Sequence, residues 1–369
     1  MIRQIKNSAF WVGRKTPQYF HPSVCLCNDG LLMTLQTFEG RSDVFGPVMW
    51  SLSRDAGKSW SEPQPIPALG HNIFSARTIE GIADVRTVFH PDRGAVIAIG
   101  CNTYYVDGAC HQNLPQFPIY AVRRANGSWS KRKKLEAVFF KDCLNWRAAC
   151  AQMLVLPDNK VLIPLYFSRE NGKNLFSVCS VKCGFDGEDL TVENIGNVLS
   201  LEVNRGLIEP SLAVLNDKYY MTVRAEDDHG YLAVSDDGLN WGELVPWHWD
   251  DGETLVMSST QQHWAGNGRE LFLVYTRSAG FNDDVMRWRA PLFIARFDEK
   301  GICLVRDTEQ EVMPLIRTGG HPNSLGNFHI VDITPATSIV SAGSLTRNIG
   351  QNGVMDFFSD TLLAEIQWN

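Results

Sequence analysis

Ser53-Arg54-Asp55-Ala56-Gly57-Lys58-Ser59-Trp60 reads as the turn of a β-hairpin. The Asp and Ser side chains bond nearby backbone N–H groups, Gly supplies a positive φ, and Trp packs under the turn. A copy one residue shorter recurs at Ser235-Asp236-Asp237-Gly238-Leu239-Asn240-Trp241. Around both, long helical periodicity is missing. Short apolar or alternating runs are split by Gly, Asp, Asn and Pro, which is the pattern of an all-β chain.

Working outward, a strand, a tight polar turn and a second strand recur six times. The turns centre on Asp29, Asp92, Asp158, Asp217, Asn267 and Ala336, at spacings of 63, 66, 59, 50 and 69 residues. Repeats of this size, each holding several strands, predict a six-bladed β-propeller, because each sheet has a face that only its neighbours can bury. A large β-sandwich accounts less well for such even spacing. Length alone, 369 residues, suggests two domains. A closed ring instead uses residues 1–369 as one domain.

Composition narrows the function. Apolar residues are 44% and aromatics 11%, enough to exclude a disordered chain. A net charge of −7 argues against nucleic acid or an anionic membrane as the general partner. No apolar run is long enough for a membrane span, so no membrane insertion is expected. The opening Met1-Ile2-Arg3-Gln4-Ile5-Lys6-Asn7 has no apolar signal core, so the chain as written reads as cytoplasmic, or as periplasmic or secreted if a signal has been removed. The nine cysteines are scattered, with no Cys-x-x-Cys pair, and read as small buried hydrophobes in a reducing compartment. Asn126-Gly127-Ser128 reads as a hairpin turn. No phosphate loop, metal-ligand spacing or calcium loop occurs, so neither metal nor cofactor is expected.

The Ser-x-Asp-x-Gly-x-x-Trp turns and the sixfold period resemble the Asp-box propellers of the sialidase (neuraminidase) superfamily. There the Asp-box is structural, so Asp55 and Asp237 receive no catalytic role. The resemblance implies a glycosidase that holds a carboxylated sugar with three arginines, protonates the leaving group with a loop Asp, and attacks with a Tyr activated by a Glu. Guanidinium forks match a carboxylate bidentately. Glu209, followed 15 residues later by Arg224, matches the activating Glu and a triad Arg. Arg289 matches the next triad Arg, with Arg287 as its alternative. Asp43, shortly before the first Asp-box, matches the general acid, with Arg41 as an accessory contact. Asp84, in the second repeat, and Gln261 with His263, leading the fifth, are further candidates for substrate binding.

Two departures stand out. The first triad Arg belongs where Phe20-His21-Pro22-Ser23 stands, and the Tyr nucleophile belongs where Gly326-Asn327-Phe328-His329 stands. His21 and His329 are therefore catalytic candidates, and Tyr104, Tyr105 and Tyr231 are candidates for a displaced nucleophile. Asp43 or Asp84 could instead activate water for an inverting route. The expected activity is hydrolysis of a terminal acidic sugar, sialic acid or a related ulosonic or uronic acid, with an acidic glycan as partner. The alternatives are a polysaccharide lyase, with His21 or His329 as base, and a noncatalytic sugar-binding propeller.

Overall fold

The computed structural model describes residues 1–13, 17–39, 43–111, 114–169, 175–349 and 355–369. Six antiparallel sheets follow one another along the chain as the blades of a propeller. Their innermost strands are Tyr19–Cys27 in blade 1 and Thr78–His90 in blade 2. Blade 3 opens with Asn145–Arg147 and Leu154–Val155, and blade 4 with Ile208–Leu215. His263–Gly266 opens blade 5 and Ser324–Thr334 opens blade 6. First strands of neighbouring blades pack on one another, including those of blades 6 and 1, while the first strand of blade 4 packs on the second strand of blade 3. Each of the six predicted turns joins the first strand of a blade to its second.

The core is divided among the six interfaces between blades. Ile97, Tyr120, Ile163 and Val181 fill the gap between blades 2 and 3. Trp247, Trp264, Leu273 and Phe297 fill that between blades 4 and 5. Ala265, Phe328, Ile330 and Val340 join blades 5 and 6. Inside the exposed outer strands both faces of a sheet are covered, so strands such as Val161–Ser168 are buried throughout their length. Each fully buried Leu, Ile or Phe contributes about 1.5–3 kcal/mol.

The two Asp-box turns have the geometry their residues demand. Ser53 Oγ donates to Asp55 Oδ1 at 2.8 Å and accepts from Gly57 N at 2.8 Å, and Asp55 Oδ1 accepts from Ser59 N at 2.9 Å. In the second turn Asp237 Oδ1 accepts from Ser235 Oγ, Leu239 N and Asn240 N. Trp241 reaches across to blade 3 and donates its indole N–H to Ser180 Oγ at 2.9 Å. The ring closes through a pairing of the two ends: Ile2–Phe10 is the outer strand of blade 6, antiparallel to Met355–Trp368. No helix among the described residues is long and apolar enough to cross a membrane.

Candidate functional site

The innermost strands of four blades share one irregularity. Pairing with the second strand skips two residues at His21-Pro22 in blade 1, at Asp84-Val85 in blade 2, at Glu209-Pro210 in blade 4 and at Gly326-Asn327 in blade 6. These are β-bulges, which bend a strand and re-aim a side chain. His21, Asp84 and Glu209 stand there with φ of 50°, 55° and 52°, and Cys150, between the two inner segments of blade 3, has φ of 58°. Left-handed φ is uncommon for such residues, and strain of this kind clusters at functional sites.

His21, Asp84, Glu209 and Asn327 line a cavity of about 490 Å³ at one end of the channel, within the range of small-molecule sites. Asp43, Arg147, Arg205, Arg224, Arg287, Arg289 and Tyr166 line it as well, with Phe20, Phe38 and Phe45 on the blade 1 side. The structure thus brings together Asp43, Asp84, Glu209, His21, Arg224, Arg287 and Arg289. Arg41 lies outside the described residues.

The cations differ in what they already hold. Arg224 donates to Glu209 Oε2 at 2.7 Å, and also bonds Glu226 and Ser259. Arg205 is spent on Glu226, whose carboxyl it holds down near 2. Arg289 makes no ion pair with a described residue, and its Nε has no hydrogen-bond partner. Burial and the nearby charge of Arg224 lower it to about 10, so it remains a cation at neutral pH. Arg147 donates to Gln116 Oε1 and lies over the rings of Tyr166 and Phe176 at 5.7 and 5.2 Å. It too makes no ion pair with a described residue. Arg287, exposed on the rim, makes none either, so three guanidinium groups of the lining have no ion pair with a described residue.

Asp84 is the perturbed acid. Desolvation in the cavity wall, then the charges of Glu209 and Asp43, raise its carboxyl to about 7, although Asn327 Nδ2 donates to it at 2.6 Å. His21 Nδ1 lies 3.5 Å from Asp84. The His21 ring packs against both Phe20 and Phe45, with centroids at 4.6 and 4.5 Å. Burial and Arg289 lower its pKa to about 3, so it is neutral. Asp43 sits at φ 59° on the exposed rim.

Several expected residues lie elsewhere. The bulge at Gly326-Asn327 turns Asn327 into the cavity, whereas His329 is fully buried below it and Phe328 packs between blades 5 and 6. A slip of one residue changes the side that a side chain faces. Gln261 and His263 are also fully buried and do not line the cavity; His263 Nδ1 bonds Ser211 Oγ at 2.7 Å. Tyr104 and Tyr105 are committed to Asn102 and to Phe45 N, and Tyr231 donates to Asp227. None of the three lines the cavity; Tyr166, on the second strand of blade 3, does, and burial raises its hydroxyl pKa. All nine cysteines are free thiols, but Cys101 and Cys110 line the cavity rather than serving only as core. Sequence reasoning also missed Arg147. Its signal is Asn145-Trp146-Arg147, a cation at the entrance to the third repeat's inner strand, where the motif comparison offered no counterpart.

No family model matches the chain, and no curated protein matches it. Solved structures do. Trypanosoma rangeli sialidase is similar at 13% identity with a TM-score of 0.65 over 97% of this chain, which spans only 59% of that sialidase. A protein of unknown function from Dyadobacter fermentans is similar at 14% identity and TM-score 0.66, covering 99% of this chain and all of that one. Hadza microbial sialidase Hz136 is similar at 12% identity and TM-score 0.64, over 95% of this chain and 66% of its own. The fold is that of the sialidase-like six-bladed propeller.

Proposed function

We propose that this propeller is a glycoside hydrolase that removes a terminal acidic sugar, sialic acid or a related ulosonic or uronic acid, from a glycan. The observation that carries the reading is the convergence of Arg147, Arg224 and Arg289 with Asp43, Asp84 and Glu209 on one cavity. Arg289, which makes no ion pair with a described residue, receives the sugar carboxylate, with Arg224 beside it, aligned by Glu209. The phenylalanines of blade 1 offer an apolar wall to the sugar ring.

Asp84 serves as the general acid. A group poised near 7 is about half protonated at neutral pH and gives its proton up to a departing oxygen. Asp43, the solvent-exposed carboxylate, activates water on the opposite side. Tyr166 is the tyrosine of the cavity, and a hydroxyl pushed upward by burial stays protonated. With water activated by Asp43 as the attacking group, the outcome is inversion. The lyase reading loses support, because His329 does not reach the cavity and a His21 lowered to about 3 is a weak base. The sialidase neighbours, one of them solved in complex with sialic acid, support the substrate class.

The test is a glycan panel of sialosides, other ulosonic-acid glycosides and uronate polymers. Free acidic sugar should appear, its first-formed anomer inverted by NMR. Arg289→Ala should lower kcat/KM by about 10²-fold or more, as expected for a lost charge-assisted contact. Ultraviolet absorbance from an unsaturated uronate would replace this reading with the lyase. Sugar binding without turnover would replace it with a noncatalytic receptor.

A further inference from the structure

Below the cavity, the channel holds a buried cation that makes no ion pair with a described residue. Arg86, on the inner strand of blade 2, is 4% exposed. Its Nη2 donates across the channel to the carbonyl of Ile330 on blade 6, while Nη1 has no partner. No carboxylate of a described residue lies within ion-pair distance of it. Asp332, whose charge it feels, spends Oδ1 on Gly266 N at 3.1 Å and on Ser338 Oγ at 2.6 Å. Beside Ile330 sits His329, fully buried, with neither ring nitrogen bonded. Its ring centroid lies 5.4 Å from that of His263, which is held by Ser211 of blade 4 and whose Nε2 makes no bond.

Buried polar groups in folded proteins are satisfied, and a buried cation without a counter-charge costs several kcal/mol. The guest implied here must accept hydrogen bonds and carry negative charge, because Arg can only donate and a neutral imidazole has one N–H to give. It must also be small, since the groups that would hold it, Arg86 at 4% exposure and His329 at 0%, are closely covered. We propose that a halide-sized monovalent anion, chloride in ordinary salt, binds in the central channel on Arg86 and His329, outside the sugar cavity. Held there, it ties the inner strand of blade 2 to that of blade 6.

Crystals of the full chain grown in sodium bromide and measured at the bromine edge should show an anomalous peak between Arg86 and His329. In solution, replacing sodium chloride with sodium gluconate at equal ionic strength should lower Tm by about 2–4 °C. Added bromide should restore it saturably. Arg86→Met should abolish that halide response, and His329→Leu should weaken it. A bromine-edge map showing only water at the cluster, or equal Tm in bromide and gluconate, overturns the proposal. If Arg86→Met does not fold, the bromide map of the unaltered protein decides.

Discussion

Asp84 gives the most specific handle at the scale of a single residue. Its carboxyl is raised from 3.8 to about 7, so the neutral form prevails below 7 and is lost above it. Activity that depends on its proton should fall about tenfold per pH unit above 7. Asp84→Asn should lower kcat by roughly 10²–10⁴-fold and remove that high-pH limb. Stability supplies a second readout. An acid whose pKa is higher in the folded state is increasingly destabilising as pH rises from about 4 to 7. Asp84→Asn should therefore match or exceed the unaltered protein in Tm at pH 8. A high-pH limb that persists unchanged in the variant would remove Asp84 from the acid role.

Elements explain both what was legible in the sequence and what was not. Hairpin turns are local, so the six turns and both Asp-boxes could be read from composition and spacing. The Glu209–Arg224 pair was legible for a similar reason, since a short hairpin fixes the register between its strands. Bulges are different. Whether the two skipped residues of blade 6 are Gly326-Asn327 or the next pair is decided by packing against neighbouring blades, and that choice put Asn327 in the site and His329 beneath it. Arg147 escaped because its partners, Gln116 and Tyr166, come from separate strands. The turns themselves can be tested. Gly238 has φ of 73°, and a Cβ there would stand 2.6 Å from Leu162 Cδ2. Gly252 has φ of 86° with open space around it. Gly238→Ala should cost about 1–3 kcal/mol more than Gly252→Ala in denaturant unfolding, since both pay for backbone strain but only one for overpacking. Equal costs would show that Leu162 moves aside freely.

For the molecule as a whole, the decisive pairing is that of Ile2–Phe10 with Met355–Trp368. Removing residues 1–10 bares one edge of blade 6, and an unpaired edge recruits other strands. The shortened chain should show a lower Tm and concentration-dependent association by light scattering. A monomer with unaltered Tm would mean that packing between blades holds the ring without this strand.

The same pairing imposes a wait during synthesis. Ile2–Phe10 leaves the ribosome well before its partner, Met355–Trp368, is made. At about 5–20 residues per second, the delay is on the order of tens of seconds. Through that interval a nascent strand must avoid alien partners while five blades assemble behind it. Its composition suits the vigil: Arg3, Gln4, Lys6, Asn7 and Ser8 interrupt the apolar Ile2, Ile5, Ala9 and Phe10, and cations on a lone strand discourage premature pairing.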